Sequence, residues 1–415
     1  MRKVQERISP PDVYLLGITA ALVALGVLLV FDASYARTTH AKWANYDAWY
    51  MAKRQLAYAV IGLGAMLFVS RLRLTTFLRW TIPLVIVAIG MLVAVLIPGV
   101  GHRMNGASRW IKIGPICFQP SELAKIALVF YLAGVLAQRK MRIRRLSSRW
   151  LTPLAVVGLA AGLVFVEPDL GTTIAIVGTC FVMLFAAGAM KRHLAGLACG
   201  GLGLVAVAVA VEPYRLERFY TWLNPWRDRY GDGYQIIHSL IALGTGGVTG
   251  VGFCEGREKH YLPAASTDFV FATLAEEAGL IGGLVLLGLF VLFAYRGLDI
   301  ARRSQCSYSN LLAVGMTSVV CLQALINVAV VSSAIPATGV PLPFISYGGS
   351  CLVLTLVGVG VLLSVSGQTA TNLDERDLYE NSLDGWRDGR AHLSGHKRRA
   401  GAARGGAGRG TLVRR

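Results

Sequence analysis

The stretch Val13-Tyr-Leu-Leu-Gly-Ile-Thr-Ala-Ala-Leu-Val-Ala-Leu-Gly-Val-Leu-Leu-Val-Phe31 is nineteen residues long and carries no charge. A helix needs about 20 apolar residues to cross the ~30 Å hydrocarbon core of a bilayer, so this run reads as a membrane span. Arg2, Lys3 and Arg7 precede it and Ser34-Tyr35-Ala36 follows, which gives it the outline of a secretory signal peptide. It is longer than the usual apolar region of such a peptide, and further runs follow, so an uncleaved anchor is expected.

Working outward, the pattern recurs. With the first at 12–31, apolar runs lie at 55–70, 80–98, 121–137, 151–166, 170–189, 194–211, 268–295, 310–334 and 349–366, the second and fifth being the shortest. The expected fold is all-α and polytopic, with about ten transmembrane helices and a large outer loop between spans 7 and 8. The division is a short N-terminus (1–11), a membrane domain (12–367) and a tail (368–415). Bulk composition agrees: 54% of the 415 residues are hydrophobic and 15% charged, against roughly 25% charged in soluble domains.

Charge sets the expected orientation. With the N-terminus in the cytoplasm, the inner loops hold Arg71, Arg73 and Arg79, the cluster from Arg139 to Arg149, Lys191 and Arg192, and Arg296, Arg302 and Arg303. The outer connections 167–169 and 335–348 hold no Lys or Arg, although the first two outer loops do. This is the positive-inside bias. Both termini are then cytoplasmic. The tail from Gly385 to Arg415 carries nine Lys or Arg against one acidic residue, Asp388, and suits anionic lipid headgroups. No aromatic or fold signature of nucleic-acid binding accompanies it. The seven cysteines show neither C-x-x-C spacing nor a Cys/His cluster, so neither a disulfide framework nor a metal site is indicated.

The unusual segments then share one face. Asn105 to Trp110 with Phe118 to Glu122, Glu167 to Thr172, the loop from Glu212 to Thr267 and the uncharged Pro336–Gly349 all fall outside, so any chemistry faces outward. Asp268 opens the eighth span. An ionisable group at membrane depth is a functional hypothesis, and a carboxylate favoured by its own helix dipole is the equal alternative. Glu276 and Glu277 follow on the same run, where a break near Gly279 would put them at a helix end; a structural role is favoured for them. Glu122 and Lys125, three apart, form an intrahelical pair, or Lys125 offers its ammonium to a phosphate or to Asp268, or both hold together. Arg109, beside the interfacial Trp110, could bind a lipid phosphate without catalytic meaning, and Arg257 and Lys259, just before Asp268, add positive charge where a diphosphate could rest. Ser346, Tyr347 and the amides of Gly348 and Gly349 are hydrogen-bond donors or parts of a buried turn.

Several strings resemble the SEDS family (shape, elongation, division and sporulation), the FtsW, RodA and sporulation type. They are Asn105-Gly-Ala-Ser-Arg-Trp-Ile111 with Phe118-Gln-Pro-Ser-Glu-Leu-Ala-Lys125, Pro168-Asp-Leu-Gly-Thr172, Gly233-Tyr-Gln235, Tyr261-Leu-Pro263 with Thr267-Asp268-Phe269, Gln323-Ala324 with Asn327, and Pro341-Leu-Pro-Phe-Ile-Ser-Tyr-Gly-Gly-Ser350. In order, they span about 12–367. Leu223-Asn-Pro-Trp226 resembles the division type, FtsW; Glu167-Pro-Asp169 leans to RodA. The family's Glu-Ala-His before Thr-Asp-Phe is replaced by Ala264-Ala265-Ser266, and its Gly-rich stretch by Gly252-Phe-Cys-Glu-Gly256.

The resemblance implies a ten-span peptidoglycan glycosyltransferase that polymerises lipid II on the outer face of the cytoplasmic membrane, in division, beside a class B penicillin-binding protein. It makes Asp268 catalytic and matches Lys125 to the family's motif lysine. The chemistry is coherent: a diphosphate leaves without a proton, so one carboxylate suffices as base, whereas glycoside hydrolysis usually needs two. No cofactor is required; a divalent cation, Mg or Mn, is compatible. Two rival classes stand beside this reading: a lipid-linked glycan flippase, and a non-catalytic scaffold for the transpeptidase.

Overall fold

The computed structural model describes residues 11–39, 44, 46–104, 107–114, 116–138, 151–231, 233–304 and 306–368. The extreme N-terminus, Asn105 and Gly106, the basic cluster Arg139–Arg149 and the tail beyond Gln368 lie outside them. Among the described residues seven helices are long and apolar enough to cross a membrane. They are α1 (Val13–Thr39), α2 (Tyr50–Ser70), α3 (Leu74–Leu96), α7 (Lys191–Val211), α10 (Val270–Arg303), α11 (Ser307–Val331) and α12 (Gly349–Gln368). Three shorter ones, α4 (Pro120–Leu136), α5 (Leu151–Val166) and α6 (Leu170–Ala186), occupy the remaining apolar runs. The chain is a helical, polytopic membrane protein.

Two features depart from the expected all-α chain with open loops. Residues 101–118 form a three-stranded antiparallel sheet, β1 (Gly101–Met104), β2 (Ala107–Ile113) and β3 (Ile116–Phe118), with His102 opposite Trp110 and Ile111 opposite Phe118. Trp110, Ile111 and Ile113 are residue types that favour strands, but strands this short leave little periodicity to read. The long loop before span 8 also contains two helices, α8 (Pro213–Leu223) and α9 (Tyr234–Gly246). Helix ends differ too: α2 starts five residues before its apolar run, because its first turn carries Lys53, which pairs with Asp47 at 2.7 Å.

Helices α4 and α11 are buried along nearly their whole lengths and form the centre. Around them α2 packs on α12, α3 on α4, α6 on α11, and α1 on α10, while α7 leaves most of its surface uncovered. One end of the bundle gathers the start of α1, the α2–α3 turn, the second half of α10 and the end of α12. There Asp12 pairs with Arg296, the Asp12 amide donates to Ser366 Oγ at 3.2 Å, and Ser364 Oγ donates to the Leu72 carbonyl at 2.7 Å. The sheet, the 167–169 turn, α8 and residues 336–348 gather at the other.

Helix α10 contains the expected break. At 34 residues a straight helix would run about 51 Å, well beyond the membrane core. Gly279 interrupts it with φ 63° and ψ −162°, a conformation open to glycine at little cost. Four backbone groups freed there are met by the segment after α9. The carbonyls of Glu276 and Glu277 accept from Val251 and Gly252, both at 3.0 Å, and the amides of Leu280 and Ile281 donate to Gly247 and Val248 at 2.9 and 3.2 Å. Irregular backbone at this depth is tolerated when protein satisfies it in this way. The two buried carboxylates complete the joint. Glu276 accepts from the amides of Arg257 and Glu258, and Glu277 from those of Cys254 and Gly256.

Candidate active site

Asp268 lies just ahead of α10, outside the spanning helix. Three successive backbone carbonyls hold it in place. Ser266 O accepts from the Tyr347 amide at 2.8 Å, Thr267 O from Ser346 Oγ at 2.5 Å, and Asp268 O from Asn327 Nδ2 at 2.7 Å. Asn327, on α11, also donates to Val340 O at 2.7 Å, which ties Asp268 to the 336–348 segment. None of these bonds uses the Asp268 carboxylate. It is half-buried, with Oδ2 only 3.6 Å from where a Cβ on Gly339 would sit.

A second wall comes from the α5–α6 turn. Asp169 caps α6, accepting from the amide and hydroxyl of Thr172 at 3.0 and 2.9 Å and from Gln119 at 3.3 Å. Gly171, in the first turn of α6, meets residues 338–340 so closely that a Cβ would fall 2.1 Å from Val340 Cγ2. Arg109, on β2, donates Nε to the Glu167 carbonyl at 3.0 Å and a second nitrogen to that of Pro168. Arg218, on α8, donates to the Ala337 carbonyl at 3.2 Å. Arg109, Asp169 and Arg218 thus converge on Asp268 from three separate elements.

Electrostatics follow from this crowding. Burial, then the neighbouring Asp169 charge, push the Asp268 carboxyl up to about 6, while Arg109 and Arg218 pull the other way. A carboxyl poised there is still mostly ionised at neutral pH and takes a proton more readily than an ordinary aspartate, which suits a general base. Glu167 is further displaced. It is 1% exposed, neither carboxyl oxygen has a hydrogen-bond partner, and burial with the Asp169 charge pushes it up to about 8.

The other sequence candidates divide. Lys125 is 4% exposed and binds Glu122 Oε1 at 2.8 Å and Gln323 Oε1 at 2.5 Å. Gln323 in turn donates to the Pro341 carbonyl at 3.1 Å. The expected ion pair is present, and the ammonium is spent inside the protein rather than held toward a ligand. Lys259 differs similarly from the expected diphosphate cation: Asp32 Oδ1 at 2.6 Å and Glu277 Oε1 at 2.7 Å enclose it. The Arg257 side chain is exposed while its amide binds Glu276 at 2.8 Å. Ser346 is a buried brace, since its hydroxyl bonds Thr267 and accepts the Leu342 amide at 2.7 Å. Tyr347 and Gly348 are half-buried beside it, and Gly349 meets the Tyr58 ring, 2.6 Å from a Cβ placed there.

The structure adds Asp169, Glu167, Arg218, Asn327 and Gln323 to the candidate set. Four of these lie in strings that attracted attention for composition or resemblance, yet nothing in their spacing gave them partners. Arg218 sits in the loop from Glu212 to Thr267, where six Lys or Arg are balanced by six Asp or Glu, with no local mark at all. Among the described residues no three His, Cys, Asp or Glu side chains gather to hold a metal ion.

Residues 13–371 match the family described as cell cycle protein, comprising FtsW, RodA and SpoVE. Stage V sporulation protein E of Bacillus subtilis is 43% identical over 362 residues, 86% of this chain and 97% of that one. A probable peptidoglycan glycosyltransferase FtsW of Trichlorobacter lovleyi is 38% identical, covering 87% and 94%. Among solved structures, a chain of a peptidoglycan synthase complex that coordinates polymerization and crosslinking superposes with a TM-score of 0.71 at 32% identity, covering 86% and 97%. The rod shape determining protein RodA of Thermus thermophilus gives 0.64 at 28%, covering 88% and 98%. In sequence and in fold, over nearly the whole helical bundle, this chain belongs to the FtsW/RodA/SpoVE cell cycle protein family.

Proposed function

We propose that this protein is a peptidoglycan glycosyltransferase that polymerises lipid II on the outer face of the cytoplasmic membrane, with ten spans and both termini in the cytoplasm. The observation that carries the reading is Asp268: a braced, half-buried carboxyl raised toward neutrality between two arginines. The acceptor sugar hydroxyl gives its proton to Asp268 as its oxygen bonds the anomeric carbon of the donor. The anomeric C–O bond to the diphosphate breaks, and the diphosphate leaves with that electron pair. Arg109 is placed to meet the charge that develops there, in a setting where fixed donors act without reorganising. Lys125 acts at one remove, through Gln323, on the loop that packs against Asp268.

A partner of the class B penicillin-binding type fits this role, since the superposed synthase complex couples polymerization to crosslinking. The FtsW relatives favour division, and 43% identity to a sporulation protein supports sporulation as a second reading. The test is polymer formation from purified lipid II by the purified protein with its transpeptidase partner. Long glycan chains support the reading. Lipid movement across vesicles without polymer would replace it with a flippase, and neither activity with partner binding intact would leave a scaffold.

A further inference from the structure

Helix α8 is the one element at the site whose contribution no sequence feature announced. It follows α7 directly and begins with Pro213 at its first position, a residue suited to a helix start. Phe219, Tyr220 and Leu223 are exposed on it, and Trp222 Nε1 binds the Ser333 carbonyl at 2.8 Å. A short helix with exposed aromatic and aliphatic side chains and interspersed arginines fits the headgroup level of a bilayer. Arg218 reaches from this helix to Ala337, two residues from the Gly339 that lies against the Asp268 carboxylate. Arg109 reaches the same carboxylate's surroundings from the sheet, through the carbonyls of Glu167 and Pro168.

We propose that Arg218 is a second substrate-binding cation, which with Arg109 grips the diphosphate of a polyprenyl-linked sugar beside Asp268. This rests on the glycosyltransferase reading. Two arguments single out a diphosphate. The site's own carboxylates, Asp169 and Asp268, repel an anion, so one guanidinium is a weak match for a group of at least two negative charges. Two guanidiniums on separate elements can each offer one phosphate a charge-assisted hydrogen bond. Polyprenyl lipids also deliver the phosphates at headgroup level, where α8 exposes its apolar side chains. Arg218 anchors α8 to Ala337 as well, and the experiment separates that anchoring from ligand binding.

The experiment uses the full chain with its partner in detergent, and two probes, undecaprenyl diphosphate and undecaprenyl monophosphate. Charge-assisted hydrogen bonds are strong enough that Arg218→Ala is expected to weaken diphosphate binding about tenfold or more. Monophosphate binding should change little, so the preference for diphosphate collapses, and KM for lipid II rises more than kcat falls. Arg218→Lys should recover the preference only in part. A folded Arg218→Ala protein with the wild-type preference would overturn the proposal and leave Arg218 as an anchor for α8. If that variant does not fold, an undiminished preference in Arg218→Lys overturns it equally. Wild-type protein that makes no polymer would sink the glycosyltransferase reading and this one with it. Polymer formation with an indifferent Arg218 would sink this one alone.

Discussion

The side-chain amide of Asn327 donates to the main-chain carbonyl of Asp268 at 2.7 Å and, with the same nitrogen, to that of Val340 at 2.7 Å. One buried amide therefore fixes the distance between Asp268 and the loop that faces it. Asn327→Ala should lower polymerisation at least tenfold. It should also cost about 1–3 kcal/mol of stability, because two buried carbonyls lose their donor. Asn327→Asp should be worse, since a carboxylate there faces two carbonyl oxygens. Wild-type turnover by a folded Asn327→Ala protein, read beside its melting curve, would remove the positioning role.

Lys125 invites a stability experiment before a kinetic one. Removing one partner of a buried ion pair strands the other charge, typically at 3–5 kcal/mol, whereas replacing both with neutral side chains is often nearly neutral. Lys125→Ala should therefore destabilise the protein severely. The double variant Glu122→Gln with Lys125→Met should recover most of the loss. Its activity is the informative number. A stable double variant with at least a tenth of wild-type turnover is expected if Lys125 only braces Gln323 and its loop. Turnover lost by a hundredfold or more in that stable protein would restore Lys125 to the substrate site.

How much of this was legible follows from range. Apolar runs are a local signal, so Val13–Phe31 and its successors located the helices, and the glycine at 279 with two carboxylates before it located the break. The ends blurred wherever a helix continued into polar residues, as α2 does through Lys53 and Arg54. Asp268 was visible because it stands where an apolar run begins. Its neighbours were not, because Asp169, Arg218 and Asn327 come from separate elements, and no spacing records a contact across about 50 to 100 residues. Lys259 shows the converse error. Its charge was plain, but Asp32, more than 200 residues away, takes it up.

Glu167 makes stability depend on pH in an unusual direction. Its carboxyl sits at about 8 in the fold, against an ordinary 4.5. Between those values the folded protein keeps a proton that the unfolded chain has released, so raising the pH favours unfolding. The melting temperature should fall from about pH 5 to pH 8, and Glu167→Gln should flatten that slope and melt higher at pH 8. Parallel slopes in the two proteins would place the carboxyl elsewhere.

Orientation can be read with thiols. Cys254 is exposed in the loop before the site, but Cys306 is 6% exposed and would escape a reagent from either side. Arg303→Cys serves better, since the Arg303 side chain is 66% exposed at the far end of α10. In sealed right-side-out cells an impermeant maleimide should label Cys254, with Cys254→Ser as the blank, and should reach Arg303→Cys only after lysis. Labelling of Arg303→Cys in intact cells would invert the proposed topology.

Asp268 is the proposed general base, and its protonation gives two linked tests. A base must be deprotonated to accept a proton, and this carboxyl sits at about 6. Turnover should therefore rise with pH through about 6 and level off above it, until other groups intervene. Asp268→Asn keeps the shape and all three backbone braces, because none of them involves the carboxylate. It should fold, bind its partner and bind undecaprenyl diphosphate at least as well as wild type, since a negative charge beside the phosphates is gone. Polymerisation should drop about 10²–10⁴-fold, the usual share of a general base, and the residual rate should lose its dependence on a group near pH 6. A carboxylate that served only the helix dipole would cost about 0.3–1 kcal/mol of stability and leave turnover nearly intact. Long-chain synthesis by pure Asp268→Asn, or an unchanged pH profile in its residual activity, would show that the proton goes elsewhere.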